Sequence, residues 1–547
     1  MARDRGAGRI AWRTMGARML QANTQEMAAP RSASDAGSVS LSVTPEWVAV
    51  VTFLVLLGTV LLQVLGKTGG MLVYSLDDPY IHMAMAERLL GGHYGINWGE
   101  VTSPSSSVIW PFLLVPTAAS SLGLYMPLVL NALFGAVTAF VFGRFAAIIE
   151  MPVDWKFAHA TRLAIAGLLV LATNLVGLAF TGLEHTLQVM IAMVVAWSLL
   201  VYARGADLPL WLLALAALGP SVRYEMFAIT AGVCLVLAME RRWRDMVVVG
   251  ASSLVLPAAL AAFLVANGNH PLPNSVMTKL GSGGAVGSGG IIQALLGGTA
   301  ALRDYFQNSF GPKLALIASI AISAWAFSQT AGRTRAVFAA AIVVGILHMV
   351  AGQFGWFFRY EIYALAFCGM IAIAAISPRT PLIPICGLVL TASCYLPALV
   401  MTPGGAANIH EQQYQMHRFV SEHYKKPFAV NDLGWVSMGL RNGPYVLDLW
   451  GLASNEALRQ RDKSPEWLDE TTQRHGAGLA MIYRPAFRAI PATWSKVGAL
   501  QLASRRVTAS EATVDIYATK IGDKADIARL LAEFKPRLPA GVRLDIE

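Results

Sequence analysis

The run Trp47-Val48-Ala49-Val50-Val51-Thr52-Phe53-Leu54-Val55-Leu56-Leu57-Gly58-Thr59-Val60-Leu61-Leu62-Gln63-Val64-Leu65 decides the class of the fold. It carries no charged residue. As a helix it would be about 28 Å long, the thickness of a bilayer's hydrocarbon core. Similar runs recur at roughly 125–148, 162–180, 186–203, 208–222, 225–239, 245–267, 313–328, 336–355, 360–376 and 381–401. The 547 residues are 55% hydrophobic and 14% charged, with mean hydropathy +0.52. Soluble domains carry about 25% charge, which excludes an ordinary water-soluble enzyme. The expectation is a polytopic α-helical membrane protein with about eleven transmembrane helices.

The net charge of +9 reports orientation. Arg241, Arg242 and Arg244, then Arg333 and Arg335, then Arg379 fall in short turns between apolar runs. That is the pattern of cytoplasmic loops; a nucleic-acid partner would ask for one basic patch instead. With these turns and the Arg-rich N-terminus inside, only one crossing fits between the first outer loop and the 149–161 loop. The run 106–121, holding Trp110, Pro111 and Pro116, is then a juxtamembrane helix in the outer interface. Residues 1–45 read as a disordered cytoplasmic tail and 46–401 as the transmembrane domain, with its first outer loop at 67–124. Residues 402–547 read as a soluble extracytoplasmic α/β domain. Cys234, Cys368, Cys386 and Cys394 all lie in apolar runs, so neither a disulfide framework nor a zinc set is implied.

Polar residues collect on the outer side. The first loop holds Asp77-Asp78-Pro79-Tyr80-Ile81-His82, continuing to Gly91-Gly92. Asp78 suits an N-cap, Pro79 a first helical turn and the glycines a helix end. Ile81, Met85 and Leu89 then share a face that can rest on the bilayer. Capping is one reading of the two acids; chemistry at the membrane surface is the other. Glu184 and His185, Arg223 with Tyr224 and Glu225, Asn274 with Ser275 and Lys279, and Arg359 with Tyr360 and Glu361 mark further outer helix ends. Each Arg/Glu set alone reads equally as a structural pair. Together they describe an outer cavity with acids beside cations, fitted to a lipid-linked phosphate. A carboxylate there can serve as general base on an acceptor hydroxyl.

The acidic pair, the helix after it and Thr102-Ser103-Pro104-Ser105-Ser106-Ser107-Val108-Ile109-Trp110 resemble the GT-C superfamily of integral-membrane glycosyltransferases. The pattern is nearest the branch of actinobacterial terminal arabinofuranosyltransferases. Gly182-Leu183-Glu184, Arg223-Tyr224-Glu225, Pro273-Asn274-Ser275 with Lys279, and Arg359-Tyr360 carry the likeness in order. Ala429-Val430-Asn431-Asp432-Leu433-Gly434 and Val446-Leu447-Asp448-Leu449-Trp450-Gly451-Leu452-Ala453 extend it into the tail. The resemblance implies a GT-C-like fold, a multi-pass protein of the bacterial inner membrane and an extracytoplasmic active site. It implies a polyprenyl-phosphate-linked sugar donor and a glycan, lipid or protein acceptor, with no nucleic acid involved. Asp77 or Asp78 would be the base; Arg359, Arg223 and Lys279 would meet the donor phosphate. Glu184, His82, Asn274 and Tyr360 would line the substrate site. No cofactor is fixed by the residues; a divalent cation, Mg or Mn, is compatible with the chemistry. Asp-Asp-Pro-Tyr and Arg-Tyr-Glu depart from the relatives' pattern, which leaves the sugar open.

In the tail, Phe428–Val430, Tyr445–Leu447, Leu479–Tyr483 and Val514–Tyr517 read as strands. Helices are expected at 409–424, 466–475 and 523–535. Asp432-Leu433-Gly434 reads as turn chemistry, and Asp448 as a strand-end turn or site residue. The Gly-rich stretch from Gly281 to Gly290 reads as a mobile loop. Acceptor recognition or a lid over the cavity is the expected role of the tail. Two other classes compete with transfer. A lipid-linked-saccharide transporter or flippase would show internal repeats and broken helices at mid-membrane. A scaffold would show a filled, fully paired outer face.

Overall fold

The structure is a computed structural model describing residues 43–281, 298–440, 443–460 and 462–547. The expected tail lies outside these residues up to position 42, as does the Gly-rich loop from 282 onward. In chain order the helices begin with α1 (Pro45–Lys67), α2 (Asp78–Leu89), α3 (Trp110–Leu114) and α4 (Met126–Ile148). Next come α5 (Ala158–Ala172), α6 (Leu175–Phe180), α7 (His185–Ala203), α8 (Leu210–Val222), α9 (Phe227–Met239) and α10 (Trp243–Ala266). Then follow α11 (Asn274–Gly281), α12 (Gly298–Gln307), α13 (Phe310–Gln329), α14 (Gly332–Ala351), α15 (Ile362–Ile376) and α16 (Leu382–Glu411).

Among the described residues, eight helices are long and apolar enough to cross a membrane. One of them, Ala158–Phe180, is α5 and α6 joined at Asn174, whose φ is 46°. Leu210–Val222, Tyr224–Met239 and Ile362–Ile376 are shorter apolar helices. The helices pack closely through small residues. Phe53 of α1 lies where a Cβ on Gly135 of α4 would stand, only 2.2 Å away. The 106–121 run forms no long helix. It makes α3, with Pro111 in its first turn, and then a 3₁₀ turn, Val115–Thr117, at Pro116, which cannot continue the α-helix.

The domain boundary expected at 402 falls inside α16, which continues through Pro403 to Glu411. After it come α17 (Gln413–Arg418) and a π-helical turn, Phe419–Tyr424. The remaining elements are β1 (Phe428–Val430), α18 (Gly434–Ser437), β2 (Val446–Asp448), α19 (Asn455–Arg459), α20 (Pro465–Arg474) and β3 (Leu479–Ile482). β4 (Ser495–Gln501), β5 (Thr513–Ala518), α21 (Lys524–Phe534) and β6 (Arg543–Ile546) complete the chain. The sheet order is β2-β1-β3-β5-β4-β6. Its first three strands are parallel and the rest antiparallel. β4 and β6 were not expected from the sequence. Small and polar residues dilute β4 (Ser-Lys-Val-Gly-Ala-Leu-Gln), and charges alternate through β6.

The first loop and this sheet are fastened together. Asn97 donates to the Val446 carbonyl at 2.8 Å and accepts from its N–H at 3.0 Å, capping the open edge of β2. Arg88 donates to the Leu440 carbonyl at 2.6 Å, and Glu87 accepts from Gly439 N at 2.9 Å. Glu100 accepts from Tyr445 Oη and from Asn455 N, each at 2.9 Å. The apolar face of α2 differs from the expectation that it rests on lipid. Ile81 and Met85 are buried in one cluster with Phe419, Val420, Leu433 and Val436 of the C-terminal domain.

Candidate functional site

The chain reaches the site in an extended segment after α1. Ser75 pins it by donating N–H and Oγ–H to the Phe180 carbonyl, at 3.0 and 3.1 Å. Gly182, at φ +68°, faces this segment. A Cβ there would lie 2.7 Å from the Tyr74 ring and 2.8 Å from Pro79, so only glycine fits the turn. Pro79 then starts α2, with Asp78 as its first residue. The N-cap position falls on Asp77 and not on Asp78 as the capping reading had it, and the Asp77 side chain makes no cap hydrogen bond. Both carboxylates are turned elsewhere.

Asp78 pairs with Arg359, Oδ2 to Nη2 at 2.7 Å, with 41% of its side-chain surface still open. Arg359 is buried, its Nη2 also donating to Tyr360 Oη at 3.0 Å. Its Nε and Nη1 are buried with no hydrogen-bond partner among the described residues. Gly355, Trp356, Phe357 and Phe358, just before it, all have positive φ, between 46° and 85°. Four consecutive left-handed residues are costly, and they deliver the Arg359 side chain to the site.

Arg223 is placed differently. Its Nη1 donates to Glu184 Oε1 at 2.7 Å and to Ser106 at 3.3 Å. Its Nε and Nη2 donate to the two oxygens of Glu225 at 3.1 and 2.8 Å. Two carboxylates thus occupy all three nitrogens, and Glu225 alone accepts a bidentate fork. The Tyr360 ring lies below both guanidinium groups, at 5.5 Å from Arg223 and 5.0 Å from Arg359. His82 stands between the two sets, with Nδ1 3.1 Å from Ser105 Oγ and Nε2 3.9 Å from Glu184 Oε2. Burial pulls its pKa below the usual histidine value; Glu184 and Asp78 oppose this, while Arg223 and Arg359 add to it. The imidazole is therefore neutral near pH 7.

Asp77 turns the other way, into the C-terminal domain. Its Oδ1 accepts from Trp435 N at 2.9 Å, and its buried Oδ2 has no donor among the described residues. A Cβ on Gly434 would stand 2.0 Å from the Asp77 Cγ, so α18 seats on this carboxyl only because position 434 is glycine. Tyr80 stacks on Trp435 at 4.0 Å and 18°. Asp432 follows β1 and accepts from Gln413 Nε2 at 2.8 Å and Tyr483 Oη at 3.1 Å. Burial and the negative charges of Asp432 and Asp78 hold the Asp77 carboxyl well above its ordinary range. Burial also raises Asp432, with Asp78 adding to it; the Gln413 and Tyr483 hydrogen bonds pull the other way.

The structure thus brings together Asp77, Asp78, His82, Glu184, Arg223, Arg359 and Tyr360. It places Asn274 elsewhere. Its Nδ2 donates to Asn455 Oδ1 at 3.0 Å, within the seam around Glu100. Lys279 is on α11, but its side chain lies outside the described residues. Asp432 is the residue that sequence reasoning missed. A usable signal existed: it follows the carboxyl end of a parallel strand, where α/β sheets place site residues. Asp448, at the end of β2, instead accepts from Trp450, Gly451 and Ala453 N–H groups and holds a turn.

A divalent cation finds no ligand set here. Among the described residues no group of three or more His, Cys, Asp or Glu side chains is placed to hold one. Asp78 is engaged by Arg359, and Asp432 by Gln413 and Tyr483.

A family described as a domain of unknown function (DUF8728) matches residues 407–517. That segment contains Gln413, Asp432, Gly434, Trp435 and Tyr483. No curated protein and no solved structure matches the chain.

Proposed function

We propose that the protein is an integral-membrane glycosyltransferase using a polyprenyl-phosphate sugar donor. The observation that carries this reading is Arg359, a buried guanidinium with two nitrogens unpartnered among the described residues, paired to the accessible carboxylate of Asp78. Buried donors without partners cost about 1–3 kcal/mol each. A phosphate oxygen is the partner that matches their charge. A fully paired scaffold would leave no such donors, and the Arg223 set alone would fit one.

In this reading the eight long and three shorter apolar helices make eleven crossings. The site and the C-terminal domain face outward from the bacterial inner membrane. A groove of about 490 Å³ lies between α9, α10 and α14, walled by Phe227, Leu254 and Leu347, with Glu225 at its lining. Its apolar walls beside the charged cluster suit a lipid chain whose head reaches Arg359. The acceptor hydroxyl attacks the anomeric carbon and forms the new C–O bond. The C–O bond to phosphate breaks, its electron pair leaving with polyprenyl phosphate. The hydroxyl proton goes to a carboxylate of the Asp77/Asp78 cluster. A single displacement inverts the anomeric centre. Arg223, held by two carboxylates, positions Glu184 and packs over the Tyr360 ring.

The experiment is sugar transfer from a synthetic polyprenyl-phosphate donor by purified protein, comparing wild type with Asp77→Asn and Asp78→Asn. Loss of a general base lowers turnover by about 100-fold or more, with donor binding retained. Wild-type rates in both variants would remove the base assignment.

A further inference from the structure

Asp77 and Asp432 come from opposite sides of a joint. Asp77 belongs to the segment leaving α1, and Asp432 to the turn after β1. The other acids of the site have cations: Asp78 has Arg359, and Glu184 and Glu225 have Arg223. No ion pair joins Asp77 or Asp432 to a cation among the described residues. Both instead meet neutral donors. Trp435 N–H serves Asp77; Gln413 and Tyr483 serve Asp432. The single Tyr483 O–H also faces Gln412 Oε1 at 2.6 Å and is shared between it and Asp432, while Gln413 Nε2 bridges Tyr483 and Asp432. Gly434 packs directly against the Asp77 carboxyl.

We infer that Asp77 and Asp432 act as one unit, a carboxyl pair holding a single proton across the joint between the first loop and the C-terminal domain. The two side chains are within hydrogen-bonding reach of each other, and Asp77 Oδ2 finds no other donor among the described residues. A hydrogen bond between two carboxyl groups needs a proton on one of them, and that proton also removes their repulsion. The burial-driven rise of both groups is in accord. The other titratable groups facing the pair are Asp78, Tyr80 and Tyr483, with Arg359 beyond Asp78. Asp432 is thus a positioning residue, setting the proton affinity of Asp77. For the transfer chemistry this rests on the reading above. With its proton held by the pair, Asp77 is neutral at the site, and Asp78, paired to Arg359 and still accessible, is the acid of the first loop left to take the acceptor's proton. The pair also makes the C-terminal domain part of the acid–base centre and not only a cover.

The test is infrared titration of the neutral carboxyl stretch in the purified full-length protein, which needs no substrate. Wild type is expected to show a neutral carboxyl that persists to neutral pH. Asp77→Asn should abolish that component. Asp432→Asn, which removes a neighbouring charge while keeping a similar shape, should lower its proton affinity at least tenfold. An unchanged titration in Asp432→Asn would overturn the inference. Thermal unfolding and Asp432→Glu, which restores a titrating partner, separate this from misfolding. A wild-type titration regained in Asp432→Glu supports the pair; a titration that follows only the melting temperature contradicts it. If the titrations behave as expected and no sugar is transferred, the pair stands and the transfer reading falls.

Discussion

At the residue scale, the account turns on donors left without acceptors. Among the described residues Arg359 has two, and the buried Asp77 Oδ2 has only the Asp432 carboxyl as its polar neighbour. Arg359→Gln removes the charge and the free nitrogens together. It should weaken donor binding by about 1.5–3 kcal/mol, the range for a hydrogen bond to a charged group. Titrating the lipid-phosphate donor against the purified protein measures this, and unchanged affinity would place the phosphate elsewhere. Gly434→Ala tests the other side. Its Cβ would stand 2.0 Å from Asp77 Cγ and 2.3 Å from the Asp77 carbonyl oxygen. The overlap should cost about 1–3 kcal/mol, read as a lower melting temperature. Asp77, Asp78 and Arg359 were legible in the sequence because charges are scarce in an apolar chain. The split between them was not. Asp78 meets a cation 281 positions away and Asp77 an acid 355 away, and neither distance leaves a local mark. Asp432 looked like a turn because Asp-Leu-Gly is also what a turn needs.

At the element scale, α2 is the piece that everything touches. Its sequence announces its start and end through Asp78-Pro79 and Gly91-Gly92. Its burial could not be read, because an apolar face does not say whether lipid or protein will cover it. The structure covers it with the C-terminal domain through Ile81, Met85 and the Tyr80–Trp435 stack. The edge of β2 is held by the two Asn97 hydrogen bonds. Asn97→Ala leaves a buried N–H and carbonyl unpaired, costing about 1–3 kcal/mol. Hydrogen exchange at the Val446 amide should speed up accordingly; an unchanged rate would mean that the edge does not depend on the first loop. The strands with compact apolar runs were legible, within one or two residues. β4 and β6 were not, since their alternation is broken by small and charged residues.

At the scale of the whole molecule, the joint between the membrane part and the sheet should respond to pH. The folded-state affinities of Asp77 and Asp432 for protons are raised above those of the unfolded chain. The folded form then binds more protons, so this contribution is present in acid and is lost as pH rises through the folded-state titration. Melting temperature should fall toward alkaline pH in wild type and less so in Asp432→Asn; equal slopes would contradict the linkage. The long apolar helices were legible at once from the apolar runs, because a bilayer would impose a length on them. The shared interface of first loop and sheet was not, because it joins segments more than 300 positions apart. The most direct measurement of the central claim is the reconstituted reaction itself, with polyprenyl-phosphate sugar, an envelope-glycan acceptor and the purified protein in bilayer discs. The account predicts release of polyprenyl phosphate matched by an inverted glycosidic product, both lost in Asp78→Asn. Intact donor with no product, or donor carried across the bilayer of a vesicle without transfer, would contradict it.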